Sequence, residues 1–128
     1  MKNYLLACAV TIAVALLPAG QSRAQLTPDL AKGKVQFARC ASCHALGAGA
    51  ATRIGPTLTG VVGRPAGKQE GYRYSGAMAK AAFNWTPEKL DAFLTKPAAV
   101  VPGTAMVFAG LPDPAARKVL IAYLRGVN

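Results

Sequence analysis

Arg39-Cys40-Ala41-Ser42-Cys43-His44 sets two thiols three positions apart with a histidine directly behind them. Three chemistries use such a pair. A structural zinc ion wants four protein ligands, whereas the chain beyond its first two dozen residues offers two cysteines and one histidine. A thioredoxin-like dithiol sits beside a strand-helix-strand unit, and no segment of this sequence predicts one. The third is the c-type haem attachment pattern. Each thiol adds to one vinyl group, and the histidine that follows falls beneath the iron. Cys40 and Cys43 are read as the covalent anchors of one haem c, and His44 as the proximal ligand.

His44 is the only histidine in the chain, so two histidines from one chain cannot hold the iron. A methionine thioether is the good remaining candidate for a sixth ligand. Beyond residue 24, Met78 and Met106 are the candidates. Met106 follows Pro102-Gly103-Thr104-Ala105, an irregular segment suited to folding back and presenting a side chain. Met78 sits in a possible short helix, where filling apolar space is the ordinary role of methionine. Met106 is the expected distal ligand. With both axial positions filled, the chemistry left is outer-sphere electron transfer, which makes a carrier rather than an enzyme.

Upstream, Lys2 supplies a positive start, Tyr4 to Leu17 is an uncharged stretch of 14 residues, and Ser22-Arg23-Ala24 ends in small residues. This reads as a signal peptide over residues 1–24, cleaved after Ala24. An uncleaved anchor is the alternative, but the run is shorter than the ~20 apolar residues needed to span a bilayer. Leu5-Leu6-Ala7-Cys8 has the look of a lipoprotein box, yet its apolar run follows the cysteine instead of preceding it. The remaining domain, 25–128, carries 13 basic and 5 acidic residues. The basic residues are scattered from Lys32 to Arg125, which argues against a nucleic-acid surface and for docking on acidic partners.

Helix signals are concentrated at three places. Thr27-Pro28-Asp29 combines a hydroxyl cap, proline at the first helical position and an acid in the first turn, and predicts a helix from about Pro28 to Arg39. Gly33 inside it costs about 1 kcal/mol relative to alanine, so another helix is expected to cross there. Thr86-Pro87-Glu88 starts a helix through Lys96 with Leu90, Phe93 and Leu94 inward. Asp113-Pro114 starts a last helix to about Arg125, with Gly126 as its stop and Val119, Leu120, Tyr123 and Leu124 buried. Gly76 to Ala82 is a possible short helix. Residues 45–75 and 97–112 read as loop, and a loop as long as the first has to wrap something. No stretch alternates like a half-buried strand. The expected fold is all-α, with three main helices and long loops around one haem.

From Gly33 to Leu124 the sequence resembles mitochondrial cytochrome c and its short soluble bacterial relatives, the class I c-type cytochromes. The resemblance is carried by Gly33 and Phe37 ahead of the cysteine motif, Gly55-Pro56 with Gly60 and Gly63-Arg64, and Gly71-Tyr72-x-Tyr74 leading to Trp85. Pro102-Gly103-Thr104-x-Met106-x-Phe108-Ala109-Gly110 and Leu120-Ile121-Ala122-Tyr123-Leu124 complete it. It implies that the Pro56 carbonyl accepts from the far nitrogen of His44, that Arg64, Tyr74 and Trp85 hold the haem propionates, and that Thr104 lies on the Met106 side. Gly33 and Tyr123 become the crossing point of the first and last helices. The sequence departs from the family where Met78 replaces an asparagine and Phe93 a tyrosine, so a drier distal pocket is expected and ligand exchange becomes possible. It departs again at Ala98, Ala99 and Ala105, where mitochondrial members carry lysines; Lys34, Arg39, Lys80 and Lys96 are left to supply a thinner positive ring.

The function expected is that of a monomeric, periplasmic electron carrier without stable membrane insertion. A cytochrome bc-type complex or a dehydrogenase would be the donor, and a terminal oxidase or reductase the acceptor. A dedicated subunit of a periplasmic dehydrogenase complex would use the same haem chemistry. A haem sensor or peroxidase would require Met106 to leave the iron readily.

Overall fold

The structure, a computed structural model, describes residues 21–127. The hydrophobic run at residues 4–17 and most of the segment read as a signal peptide lie outside the described residues. Five helices follow one another: α1 (Gln21–Phe37), α2 (Gly76–Ala79), α3 (Pro87–Thr95), α4 (Pro97–Val100) and α5 (Pro114–Gly126). Among the described residues the only β pairing is an isolated antiparallel bridge between Pro65 and Asn84.

Three helices begin where a side-chain oxygen satisfies a free backbone N–H of the first turn. Ser75 accepts from Met78 N, Thr86 from Lys89 N and Asp113 from Ala115 N. Pro87, Pro97 and Pro114 occupy the first turns of their helices, where the missing proline N–H removes nothing.

Several boundaries differ from expectation. The first helix begins at Gln21 instead of Pro28, because Ala24, Gln25 and Leu26 are themselves good helix formers and extend it backward. It also stops at Phe37 rather than Arg39. From there the chain tightens: Ala38 and Arg39 donate to carbonyls three residues back, and Cys40 N and Ala41 N both donate to Phe37 O. Residues 97–100 form one helical turn where loop was expected, started by Pro97, and Gly126 lies inside α5 rather than beyond it. The buried stripe of α5 is Ala116, Arg117, Leu120, Ile121 and Leu124. Val119 and Tyr123 are half-buried because they face α1 instead of the core.

Helices α1 and α5 cross at Gly33. A Cβ on Gly33 would stand 2.5 Å from the Tyr123 Cβ and against the Val119 carbonyl oxygen, so only a residue without a side chain lets the two backbones approach. Phe37 and Tyr123 continue the contact, with ring centroids 6.0 Å apart. Leu90, Phe93 and Leu94 of α3 meet Leu120, Ile121 and Leu124 of α5 in one core with Val61, Trp85, Val101 and Leu111. Each such side chain contributes about 1.5–3 kcal/mol by leaving water. Among the described residues the buried charge is Arg117, 8% exposed. It pairs with Asp91 of α3 at 2.7 Å and donates to the carbonyls of Leu111 and Pro112 at 2.9 Å each, pinning α3, α5 and the loop before α5 together.

Candidate functional site

The turns after α1 wind the cysteine motif into a compact step. Cys43 N and His44 N both donate to the Cys40 carbonyl, at 3.0 and 2.8 Å. Cys40, Cys43 and His44 thereby line one cavity. The two thiols are not disulfide-bonded. Burial pushes the Cys40 thiol above its ordinary range, with the Arg39 charge pulling the other way and Cys43 adding to the rise. Among the described residues no three His, Cys, Asp or Glu side chains gather as a metal site.

The imidazole is held by the loop that follows. His44 Nδ1 lies 2.7 Å from the Pro56 carbonyl oxygen. A carbonyl can only accept, so Nδ1 is the donor, and in the neutral ring Nε2 keeps its lone pair. This is the tautomer a metal-binding histidine needs, with its other nitrogen anchored to the backbone. Gly55 provides the room: a Cβ there would come within 2.7 Å of Nδ1 and 2.9 Å of Nε2. The loop is fixed in turn by Gly55 N donating to Cys43 O and Leu58 N to Ala45 O, at 2.8 and 2.9 Å.

The cavity walls are apolar, with Leu90, Phe93, Leu94, Leu120 and Leu124 from α3 and α5 and Met78 from α2. Thr104 and Met106 line it from the segment after α4, where the Thr104 hydroxyl accepts from Met106 N at 3.3 Å. Two thiols, an imidazole with a free nitrogen and a thioether on an apolar slot fit a flat macrocyclic iron cofactor tethered by its edge. Ile54 and Val107, 77% and 103% exposed, stand at its rim.

Polar groups gather at one side of the cavity. Trp85 N donates to Arg64 O at 2.9 Å, and Gly63 N to Trp85 O at 2.8 Å, an antiparallel exchange that holds Arg64 and Trp85 side by side. The Arg64 guanidinium donates to the Thr57 and Thr59 carbonyls at 3.0 and 3.2 Å. Two of its five N–H groups are thus used inside the protein. Burial lowers the Arg64 pKa and raises that of Tyr74, and each is opposed by the other's proximity. The residues read from the sequence as haem anchors, iron ligands or their supports, Cys40, Cys43, His44, Pro56, Arg64, Tyr74, Trp85, Thr104 and Met106, all line this one cavity.

Two features escaped the sequence reading. One is the short pairing of residues 63–66 with 83–85, too brief to leave an alternation pattern. The other is Tyr72, whose hydroxyl donates to the Ile54 carbonyl at 2.9 Å and whose ring packs edge-on against Tyr74 at 4.8 Å. Its place in Gly71-Tyr72-x-Tyr74 was the available signal.

The model of the family described as Cytochrome c matches residues 30–128. The chain belongs to the cytochrome c family. It is 46% identical to cytochrome c2 of Agrobacterium tumefaciens (strain II Chrys) over 99 residues, covering 75% of this chain and 89% of that one. It is 44% identical to cytochrome c of Cannabis sativa over 92 residues, 72% of this chain and 83% of the other. The solved structure of cytochrome cH from Methylobacterium extorquens superposes with a TM-score of 0.71 at 42% identity, covering 75% of this chain and 96% of that one. Membership in the cytochrome c family brings covalent haem c with it, and Cys40-Ala41-Ser42-Cys43-His44 is the attachment motif. The helical architecture, without strands among the described residues, is the small cytochrome c fold.

Proposed function

We propose that this cytochrome c is a soluble periplasmic electron carrier whose haem iron is held by His44 and Met106. The domain is residues 25–128, released by cleavage after Ala24. When bound, the haem supplies a reversible one-electron couple. His44 would present Nε2 to the iron while the Pro56 carbonyl keeps the ring from turning. Met106 presents a neutral thioether, which favours the ferrous state and a raised potential. Leu90, Phe93, Leu94 and Leu120 keep water from the macrocycle. Arg64, Tyr74, Trp85 and Thr104 provide donors where the propionates and the distal edge would lie, answering charges that are costly to bury unpaired.

The observation that supports this reading most is the 2.7 Å contact of His44 Nδ1 with the Pro56 carbonyl oxygen, on the same cavity as Met106. A chain that supplied both of these donors to the iron would leave no open position for oxygen or peroxide. Among the described residues no helix is long and apolar enough to cross a membrane. The exposed Lys34, Arg39, Lys80 and Lys96 suit acidic faces on partners such as a membrane oxidoreductase, a dehydrogenase or a terminal oxidase.

The test uses holoprotein labelled at methionine methyls in a Met78→Leu background. In the ferrous state the Met106 methyl resonance should be displaced far upfield by the macrocycle, and the protein should fail to take up carbon monoxide. An undisplaced Met106 methyl, or ready carbon monoxide binding, would overturn the ligation and favour a sensor or peroxidase.

A further inference from the structure

Met78 and Met106 line the same cavity, yet the chain holds them by different means. Met106 belongs to the irregular stretch after α4, between exposed Ala105 and fully exposed Val107. Its backbone N–H bonds only to the Thr104 hydroxyl, at 3.3 Å. Between Thr104 N, which donates to Val101 O at 3.0 Å, and Leu111 N, which donates to Leu94 O at 2.7 Å, that is the one backbone hydrogen bond of the segment, and a segment with so few opens at low free energy. Met78 belongs to α2 and is 8% exposed. Its N–H is capped by Ser75 at 3.2 Å and its carbonyl accepts from Ala81 N at 3.1 Å. None of these bonds ties Met78 to the Met106 segment, and Met78 lines the cavity from α2.

Few other donors compete for the position that opening would expose. His44 is the only histidine, and residues 97–112 contain no lysine. Phe93, 6% exposed on the cavity wall, brings no hydroxyl. The thioether is also the donor type that c-type iron accepts alongside histidine.

We propose that Met78 is a reserve axial ligand that takes the distal position when Met106 leaves it, so that the iron remains closed to outside ligands while the 102–110 segment is open. This rests on Met106 being the resident ligand. The exchange breaks one sulfur–iron bond and forms another. Both donors are neutral and have no proton to lose near neutrality, so no proton or electron is transferred and the exchange is insensitive to pH. A filler methionine would share the burial but not the ligation.

Four holoproteins test it: wild type, Met78→Leu, Met106→Ala and the double variant, each examined by near-infrared absorption of the ferric form and by imidazole titration. Met78→Leu should keep the thioether-to-iron band of the wild type. Met106→Ala should also show such a band, unchanged from neutral to alkaline pH, and the double variant should lack it. If Met78 occupies the iron about nine-tenths of the time in Met106→Ala, imidazole binds that variant about tenfold more weakly than it binds the double variant. Matching spectra and matching imidazole affinities in those two proteins would overturn the proposal. Loss of the band in Met78→Leu alone would overturn both the reserve role and the assignment of Met106. Should the double variant fail to accumulate, methyl-labelled Met106→Ala decides alone: its Met78 methyl is shifted by the iron if Met78 ligates, and the proposal falls if it is not.

Discussion

Gly33 and Tyr123 join the first and last helices so closely that a Cβ on the glycine would stand 2.5 Å from the Cβ of the tyrosine. Gly33→Ala therefore sets two effects against each other. Removing glycine from a helix interior gains about 1 kcal/mol, while forcing an atom into a filled interface costs about 1–3 kcal/mol. The obstruction includes the Val119 backbone, which cannot swing aside, so the steric cost prevails. Guanidinium denaturation should show a net loss for Gly33→Ala and a larger one for Gly33→Val; a stabilised alanine variant would refute the close crossing.

Gly55 makes a similar claim at the site. Its φ is not positive, so alanine is free of backbone strain and acts only through the Cβ pressed against the His44 ring. Gly55→Ala should still carry covalent haem through Cys40 and Cys43. The ring should be displaced from the Pro56 carbonyl, with a shifted midpoint potential and a lower thermal midpoint. Voltammetry indistinguishable from wild type would show that the ring tolerates the methyl group.

The ion pair between Asp91 and Arg117 is asymmetric. Asp91 is 45% exposed at its side chain and Arg117 only 10%. Asp91→Asn leaves the guanidinium its two carbonyl acceptors, and should cost about 1–2 kcal/mol. Arg117→Leu strands the Leu111 and Pro112 carbonyls as well and should cost more, about 2–4 kcal/mol. Chemical denaturation at fixed pH checks the order, and the reverse order would place the strength of the clamp in the carboxylate.

Phe93 packs edge-on against Trp85 with centroids 4.8 Å apart. Phe93→Tyr would bring a hydroxyl to the cavity wall within the same ring outline. A changed midpoint potential is expected, since any hydrogen bond to the distal sulfur alters its donation to the iron. Equal potentials in the two proteins would show that the hydroxyl finds no sulfur.

Much of this was legible in the chain. Cys40, Cys43 and His44 announce their chemistry by spacing, and Thr86 and Asp113 announce their helices because capping is local. Gly33 was informative because it is locally unfavourable, so a tertiary reason had to exist. What stayed hidden depends on distant groups. The Gly71-Tyr72-x-Tyr74 motif marks Tyr72 without saying that its hydroxyl finds the carbonyl of Ile54, and the bridge between Pro65 and Asn84 is shorter than any pattern. The start of α1 was misread because the cap at Thr27 competes with an upstream stretch that also favours helix.

Burial raises the Tyr74 pKa, with Arg64 and a backbone bond from Gln69 opposing. A raised folded pKa stabilises fully below the unfolded value and is lost as pH climbs through the folded one. The stability of the protein should therefore fall as pH rises from about 10, the ordinary tyrosine value. Tyr74→Phe should flatten that part of the profile in denaturation midpoints taken across the alkaline range. An identical slope in both proteins would assign the fall to other groups.

The contact at Gly33 has a consequence in time as well as in space. The chain's two ends are each other's packing partner, so a growing N-terminal fragment holds the cysteine motif and its histidine loop but has nothing to cover α1 until residues 114–126 exist. Contacts of such long sequence separation carry a loop-closure cost before they give anything back. The cysteine motif is thus spelled out early in the chain, and the helix that covers α1 is spelled out last.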